Sequence, residues 1–199
     1  MHISEGILSG SVLLAGWAGT AAGVAVGLRK TDTSRIVRTA LISSAFFLAS
    51  LVNVRIGPSS THLSLLAPIG LILGWGVFPA VLVALLLQAL LFQFGGLLVL
   101  GINTFIMGFA ALSVYLLFGK AIRESKRKTF TVFMSFLAGT LAVMIGAGLA
   151  GMCLGLTDNN FINAAKLLVT AHIPLAVIEG AVTSFMVLWL KKAAPEFLA

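Results

Sequence analysis

Long apolar stretches separated by short polar segments are the dominant pattern of this sequence. Hydropathy windows predict seven candidate helices, at residues 7–28, 36–53, 63–74, 78–94, 97–118, 129–154 and 167–190. A helix needs roughly 20 apolar residues to cross the hydrocarbon core of a bilayer. The pattern therefore predicts an all-α polytopic membrane protein with about seven transmembrane helices.

The third predicted helix differs from the others because it is short and contains Pro68. With about a dozen residues it is either a tilted half-length helix or the first arm of a re-entrant hairpin. Both alternatives return the chain to the same side, so the charge of the flanking loops does not separate them. We leave residues 63–94 open between two spans and a re-entrant hairpin.

Composition strengthens the membrane assignment. Of the 199 residues, 59% are apolar and 10% are charged, whereas about 25% are charged in an ordinary soluble domain. The net charge is +7, but the basic residues sit between apolar runs, as they do in cytoplasmic loops, and form no face that could bind nucleic acid. The composition excludes a soluble globular protein and leaves no room for a soluble catalytic domain.

The distribution of basic residues predicts the orientation. With the N-terminus outside, the inner loops hold most of the 13 basic residues. Only Arg55 and Lys166 fall outside. The C-terminus is then cytoplasmic, and Met1, residues 54–61, the turn at residues 95–96 and residues 158–160 share the extracellular face of the inner membrane.

Nucleotide-binding motifs are not formed. Gly119 and Lys120 follow an apolar run without the earlier glycine of a P-loop, and the glycines of residues 146–151 lie inside an apolar helix rather than after a strand. We expect no nucleotide to bind this chain, so any energy from ATP must come from a partner. The single cysteine, Cys153, cannot form an internal disulfide.

Two of the three histidines, His2 and His62, fall on the predicted outer face. A free N-terminus followed by histidine offers three nitrogens: the α-amine of Met1, the backbone nitrogen of His2 and the Nδ1 atom of His2. Ni²⁺ and Cu²⁺ favour such in-plane nitrogen donors. The imidazole of His62 is a candidate fourth nitrogen that completes the plane.

Five segments together resemble the CbiM/NikM family, the substrate-binding S components of energy-coupling factor transporters for cobalt and nickel. The segments are Met1-His-Ile-Ser-Glu-Gly6, Ser59-Ser-Thr-His-Leu63, Gln88-Ala-Leu-Leu-Phe-Gln93 followed by Gly95-Gly96, Asn103-Thr-Phe-Ile-Met-Gly108 and His172-Ile-Pro-Leu-Ala-Val-Ile-Glu-Gly180. The resemblance extends over nearly the whole chain. It implies that residues 1–199 form a single transmembrane substrate-binding domain.

The resemblance also implies a ligand set and partners. An extracellular N-terminal segment inserts into the core, and the metal is bound by Met1, His2 and the histidine that matches His62. The implied partners are a transmembrane coupling component, two ABC-type ATPases and, in some systems, a small accessory membrane subunit. These partners would supply the ATP hydrolysis that the chain itself lacks.

Other polar residues are candidates for supporting the site. Asn53 matches an asparagine that the family tends to place before the histidine loop, and Ser60 is a candidate hydrogen-bond partner of the N-terminal segment. Gln93 and Asn103 lie near the outer ends of two adjacent predicted helices. We expect these two amides to hold an imidazole or a backbone carbonyl near the metal, in preference to simple hydrogen bonds between helices.

His172 and Glu179 are seven residues apart and therefore project from one face of the last predicted helix. A carboxylate near the middle of a membrane is costly and is usually paired or functional. One interpretation is a coupling element that senses metal loading. The other, slightly favoured, is a structural hydrogen bond from Glu179 to a neighbouring helix.

We therefore expect a non-enzymatic importer whose transported substrate is extracellular Ni²⁺ or Co²⁺. Nitrogen ligands must be deprotonated, so metal affinity should fall as the pH falls, and Mg²⁺ and Ca²⁺ should be rejected because they prefer oxygen ligands. Two alternatives stay open at this point. One is an S component or permease for a small organic molecule such as a vitamin, and the other is an intramembrane hydrolase that uses Ser59 or Ser60.

Overall fold

Seven α-helices and one short β-hairpin form the part of the chain that a computed structural model describes, which is residues 3–51, 53–56 and 59–198. For residues 33–35, 53–56 and 59–62 the description covers the backbone alone. The helices are α1 (Gly10–Lys30), α2 (Thr33–Leu51), α3 (Leu66–Leu73), α4 (Val77–Phe92), α5 (Leu100–Glu124), α6 (Lys128–Thr157) and α7 (Ile162–Ala193). The strands are β1 (Asn53–Ile56) and β2 (Ser59–His62), and 3₁₀ turns occupy Gly74–Gly76, Asn159–Phe161 and Pro195–Leu198.

Most of these helices can cross a membrane. Among the described residues, five helical stretches are long and apolar enough to do so: Gly10–Lys30, Leu66–Phe92, Leu100–Glu124, Lys128–Thr157 and Asn159–Ala193. The helix over Ile36–Leu51 is shorter but also apolar. The predicted all-helical polytopic membrane protein is confirmed with five to six long apolar helices rather than about seven spans, because α3 is too short to cross a membrane. Residues 53–56 and 59–62 also pair as two short strands, which the hydropathy pattern did not reveal.

The short third span is the helix α3, which has eight residues and is therefore about 12 Å long, less than half the thickness of a hydrocarbon core. It begins after Leu65, whose φ of 49° is left-handed, and it ends at Gly74, with φ 53°. Leu66 through Ile72 are all buried. An apolar helix that is buried on every side is enclosed by protein rather than by lipid, so α3 lies in the core among the longer helices.

Helix α1 packs against α4 and α5 through a row of glycines. A side chain at Gly19 would collide with Phe105, and one at Gly23 would collide with Phe78. At Gly27 it would meet the backbone oxygen of Trp75. Small residues in an apolar helix let a neighbour approach closely, and here the close neighbours belong to the same chain.

Helices α6 and α7 form a second close pair near the middle of their lengths. A side chain at Gly139 of α6 would meet the backbone oxygen of Glu179 at 2.5 Å. One at Gly180 of α7 would meet the Thr140 hydroxyl at 2.6 Å and the backbone oxygen of Phe136 at 2.8 Å. The backbones of α6 and α7 therefore touch at the point where α7 carries Glu179.

Basic residues from distant parts of the sequence gather at the end of the molecule that holds the C-terminus. The Lys191 ammonium donates to the backbone oxygens of Ile122 and Ser125, at 2.5 and 2.6 Å. Arg38 donates to the backbone oxygen of Glu196. Both residues belong to the set that the sequence predicts on the inner side, and that orientation stays a prediction.

Candidate functional site

The N-terminal segment, residues 3–9, is inserted between α5 and α6. Ile3 is 4% exposed. Together with Leu8 it belongs to a buried apolar cluster that also contains Val12, Val99, Ile102, Ile106, Ala150, Cys153 and Leu154. At the end of the segment, the Ser9 N–H donates to the Thr157 hydroxyl of α6 at 3.3 Å. The chain therefore reaches the core of the bundle before α1 begins.

A side-chain amide holds the backbone of the segment at its deepest described point. The Ile3 N–H donates to Asn103 Oδ1 at 3.1 Å, and Asn103 Nδ2 donates to the Ile3 oxygen at 3.0 Å. Both hydrogen bonds are buried, and Asn103 is 2% exposed in the first turn of α5. The two bonds fix both backbone polar groups of Ile3, and the support of a metal ligand by Asn103 stays a prediction.

Glu5 ties the same segment to the turn between α4 and α5. Its N–H donates to the Gly95 oxygen at 3.3 Å, and its carboxylate accepts from the Leu98 N–H at 2.8 Å. Gly96 makes this contact possible, because a side chain there would overlap the Glu5 carboxylate. The Gly96 φ of +123° also lies in the region that favours glycine. Glu5 and Asn103 therefore fix the N-terminal segment from two directions.

The β-hairpin carries the histidine predicted as the fourth ligand. Its strands pair antiparallel, with Asn53 opposite His62 and Arg55 opposite Ser60. The backbones of Asn53 and His62 are thus neighbours across the ladder, although they are nine positions apart in the sequence. For Asn53, Ser60 and His62 the structure describes the backbone alone, so their predicted roles as ligand or supporting residues stay predictions.

A buried amide of α4 bonds to the end of α2, directly before the hairpin. The Gln88 side chain of α4 is 2% exposed, and its Nε2 atom donates to the Ser50 hydroxyl at 2.5 Å. Ser50 lies in the last turn of α2, three residues before Asn53. This bond joins α4 to the end of α2 directly before the hairpin.

A buried carboxylate marks the exit of the hairpin. Glu179 of α7 is 1% exposed. Its carboxylate accepts the N–H of Ser64, two residues after His62, and also the N–H of Leu65, which lies 3.2 Å from each carboxylate oxygen. Glu179 therefore bonds to the backbone that joins β2 to α3, rather than to another long helix.

The same carboxylate lies at the start of α3. Leu65 is the residue before the helix, and its own side chain cannot accept a hydrogen bond from the first turn. A negative group near the exposed N–H groups of a helix start is favourable because it compensates the helix dipole. Glu179 thus satisfies backbone donors at a left-handed turn that leucine adopts with difficulty.

Gln93, predicted to support the metal site, and His172, considered as a coupling residue, make no hydrogen bond to the described residues of the N-terminal segment or the hairpin. The Gln93 side chain is exposed at the C-terminal end of α4, where the residue takes a left-handed φ of 56°. The half-buried imidazole of His172 contacts the backbone oxygen of Leu168 on its own helix, with Nδ1 2.7 Å from it. Gln93 lies beyond the helical turn that would have pointed it inward, and His172 is engaged within α7.

Met1 and His2 lie outside the described residues. Among the side chains that the structure describes, which do not include that of His62, no group of three histidine, cysteine, aspartate or glutamate residues could hold a metal ion. We call the described residues that contact the segments carrying the predicted ligands the frame: Asn103 and Glu5 at the N-terminal segment, and Gln88 and Glu179 at the two ends of the hairpin.

Sequence reasoning did not assign Glu5 or Gln88 to this frame. Glu5 carries a detectable signal, because a carboxylate before the first span faces the Gly95-Gly96 turn on the same predicted side. Gln88 carries one as well, because an amide inside an otherwise apolar helix requires a partner. The contact of Glu179 with residues 64 and 65 has no comparable signal, since it joins positions 114 and 115 residues apart.

Comparison with protein families gives one match that spans nearly the whole chain. Residues 2–197 match the family described as CbiM, cobalt uptake substrate-specific transmembrane region. The chain is 38% identical over 199 residues to a Haemophilus influenzae protein named "Putative metal transport protein", covering 100% of this chain and 97% of that protein. It is 31% identical to the "Fused nickel transport protein NikMN" of Rhodobacter capsulatus, of which it covers 64%.

Solved structures show the same architecture. A crystal structure described as a transition metal transporter superposes with a TM-score of 0.79 at 27% sequence identity, covering 96% of this chain and 93% of that one. A truncated transition metal transporter superposes with a TM-score of 0.74 at 24% identity, covering 96% of this chain and 99% of that one, and this second likeness concerns the fold alone.

Proposed function

The chain belongs to the CbiM family of substrate-specific transmembrane components for cobalt and nickel uptake, and we propose that it binds Ni²⁺ or Co²⁺ through nitrogens of Met1, His2 and His62. The metal is the transported substrate. The family is a transporter family, so the hydrolase alternative that used Ser59 or Ser60 has no support. The vitamin alternative is likewise not the substrate class of the matched family.

The observation that carries the proposal is the burial of Ile3 and its pairing with Asn103. Both polar backbone atoms of Ile3 are held in the core, at 3.1 and 3.0 Å from the Asn103 amide. His2 is joined directly to this fixed and buried residue in the sequence, and this supports a metal site in the core that includes position 2.

The hairpin supports the second half of the ligand set. His62 is the last residue of β2, and its backbone is fixed on one side by pairing with Asn53 and two residues later by Glu179. A ligand on a backbone that is held at both ends loses little conformational entropy when metal binds. This arrangement suits the fourth position of a preformed site.

The ligand chemistry selects the class of ion. Deprotonated amide, amine and imidazole nitrogens favour Ni²⁺, Cu²⁺ and Co²⁺, while Mg²⁺ and Ca²⁺ require several oxygen ligands. Four nitrogens near one plane serve nickel and cobalt alike, so we propose both as substrates. Transport then depends on partners, for which we propose the coupling component and the two ATPases that an energy-coupling factor transporter contains.

The decisive experiment is a titration of the purified full-length protein with Ni²⁺ and Co²⁺, comparing the unaltered chain with two variants. One carries a few extra residues before Met1, which removes the proposed α-amine ligand. The other is His62→Ala. We expect each change to weaken Ni²⁺ binding at least 100-fold, because each removes a coordinating nitrogen.

His172→Ala is the matched control, because it also removes an imidazole but from a position bonded within α7. It should bind Ni²⁺ like the unaltered chain. Unchanged affinity in the extended chain and in His62→Ala would contradict the ligand set. A loss of equal size in all three variants would point instead to a general loss of structure.

A further inference from the structure

We propose that Glu179 is a positioning residue for the metal site, which sets the place of the His62 imidazole by binding the backbone of Ser64 and Leu65. The inference rests on the proposed function, because it requires His62 to be a ligand. Glu179 itself does not touch the metal in this proposal. It acts through the two residues that link the hairpin to α3.

The first argument is the choice of donors. A carboxylate that is 1% exposed within a membrane bundle needs strong hydrogen bonds. Glu179 obtains them from backbone N–H groups at two consecutive residues, Ser64 and Leu65. Backbone donors cannot rotate away as side-chain donors can, so the carboxylate fixes the path of the chain and not merely one side chain.

The second argument is the conformation that is fixed. Leu65 has φ 49° and ψ 22°, a left-handed conformation that costs a leucine about 1 kcal/mol or more. Without the carboxylate, the chain between His62 and α3 would relax toward ordinary angles, and β2 would shift with it. The strained turn and the buried acid therefore act together to hold the hairpin in one position.

The third argument is the rigidity of the support. Glu179 lies where α6 and α7 touch, since its backbone oxygen faces Gly139 at a distance that leaves no room for a side chain. The next residue, Gly180, is packed against Phe136 and Thr140. The carboxylate is thus mounted on the closest contact between two long helices, which gives it little freedom to move.

The test is a double-mutant cycle on the full-length protein in detergent, with Ni²⁺ as the probe. Glu179→Gln keeps the shape of the side chain but replaces one acceptor oxygen by a donor. In the unaltered background it should weaken Ni²⁺ binding by roughly 10- to 100-fold, the usual effect of losing a residue that orients a metal ligand. In the His62→Ala background it should have almost no effect, because the ligand through which it acts is gone.

A spectroscopic readout separates positioning from simple loss of protein. With Ni²⁺ bound, the visible absorption of Glu179→Gln should shift toward that of His62→Ala, because the fourth nitrogen is no longer well placed. Thr183→Val is the matched control, since Thr183 is fully buried one turn further along α7. It should leave both affinity and spectrum unchanged.

The outcomes distinguish this inference from the proposed function. If His62→Ala binds Ni²⁺ normally, the ligand set is wrong and the inference falls with it. If His62→Ala weakens binding but Glu179→Gln does not, or weakens it equally in both backgrounds, the positioning role alone is wrong. Should Glu179→Gln not fold, Glu179→Asp carries the test: it keeps the charge but shortens the side chain, and normal affinity and spectrum would overturn the role.

Discussion

The two ends of this molecule differ in the side-chain groups that bond to the backbone: acceptor oxygens at one end and cationic donors at the other. At the end with the N-terminal segment, side-chain oxygens of Asn103 and Glu5 accept hydrogen bonds from backbone N–H groups, and Glu179 does the same nearer the middle of the bundle, at the exit of the hairpin. At the other end, Lys191 and Arg38 donate to backbone oxygens. The first end fixes irregular backbone, and the second mainly fixes helix ends and the C-terminal turn.

The difference concerns the charge of the side chains at each end. Cations at helix C-termini are favourable because they compensate the helix dipole, and Lys30 and Arg123 also lie over the rings of Trp75 and Tyr115. A site for a dication benefits from the opposite arrangement, in which the supporting groups are neutral or acidic. The acceptor-rich end agrees in this respect with the metal site that we propose there.

Among the substitutions that test this difference, Asn103→Ala should have the largest effect on stability and on Ni²⁺ affinity. It removes both hydrogen bonds to the buried Ile3 backbone, and each buried group left unpaired costs about 1–3 kcal/mol. We expect a loss of about 2–4 kcal/mol in the free energy of unfolding in detergent, together with a marked loss of Ni²⁺ affinity. Asn163→Ala removes an exposed amide of α7 and is the control. Normal affinity in Asn103→Ala would separate the anchored segment from metal binding.

A smaller effect is expected from Gly96→Ala. The added methyl group would overlap the Glu5 carboxylate, and the φ of +123° strains any residue but glycine. We expect a destabilisation of about 1–3 kcal/mol, with a loss of Ni²⁺ affinity smaller than that of Asn103→Ala because the Ile3 contact remains. Gly148→Ala, which adds a methyl group into open space, should not weaken binding. A stable Gly96→Ala protein would show that the Glu5 contact can be dispensed with.

The smallest effect is expected from Lys191→Met, which tests whether the end with the C-terminus is independent of metal binding. It removes the ammonium bonded to the Ile122 and Ser125 oxygens and keeps most of the apolar stem. Thermal unfolding should show a loss of about 1 kcal/mol, and Ni²⁺ affinity should stay the same. Lys192→Met changes an exposed lysine and should change neither. Weakened metal binding in Lys191→Met would mean that the two ends are not independent.

The sequence allowed most helices to be predicted but not where they end. The span predicted at residues 97–118 is α5, Leu100–Glu124, and the span predicted at residues 167–190 is α7, Ile162–Ala193. Hydropathy falls where charged or polar residues begin, whereas backbone hydrogen bonds continue through them. Helix α7 therefore extends past its apolar run at both ends, whereas α5 extends past it only at its C-terminal end and begins three residues later than predicted.

The hairpin could not be predicted because its strands are only four residues long and show no clear alternation of apolar and polar residues. Their pairing depends on the tertiary structure, since Gln88 of α4 bonds to Ser50 before the hairpin and Glu179 of α7 bonds to Ser64 after it. The amide of Asn103 was predictable because a buried amide must find a partner. That its partner is Ile3 depends on packing between residues 100 positions apart.

Glu179 shows the limit most clearly. Its cost in a membrane identifies it as important from the sequence alone, and a structural hydrogen bond was the favoured interpretation. The backbone N–H groups that donate to Glu179 are set by the left-handed turn at Leu65. A leucine in a sequence does not indicate such a turn. The choice between a neighbouring helix and the hairpin exit therefore required coordinates.

The turn between α5 and α6 is exposed, and it offers a place to insert a marker domain for imaging. Ile3 and Leu198 are each 4% exposed, so a fusion partner joined next to either residue would compete with packed structure. Lys126, Arg127 and Lys128 are all exposed. A rigid marker domain inserted between Lys126 and Arg127 would give a small membrane protein a visible feature for electron microscopy.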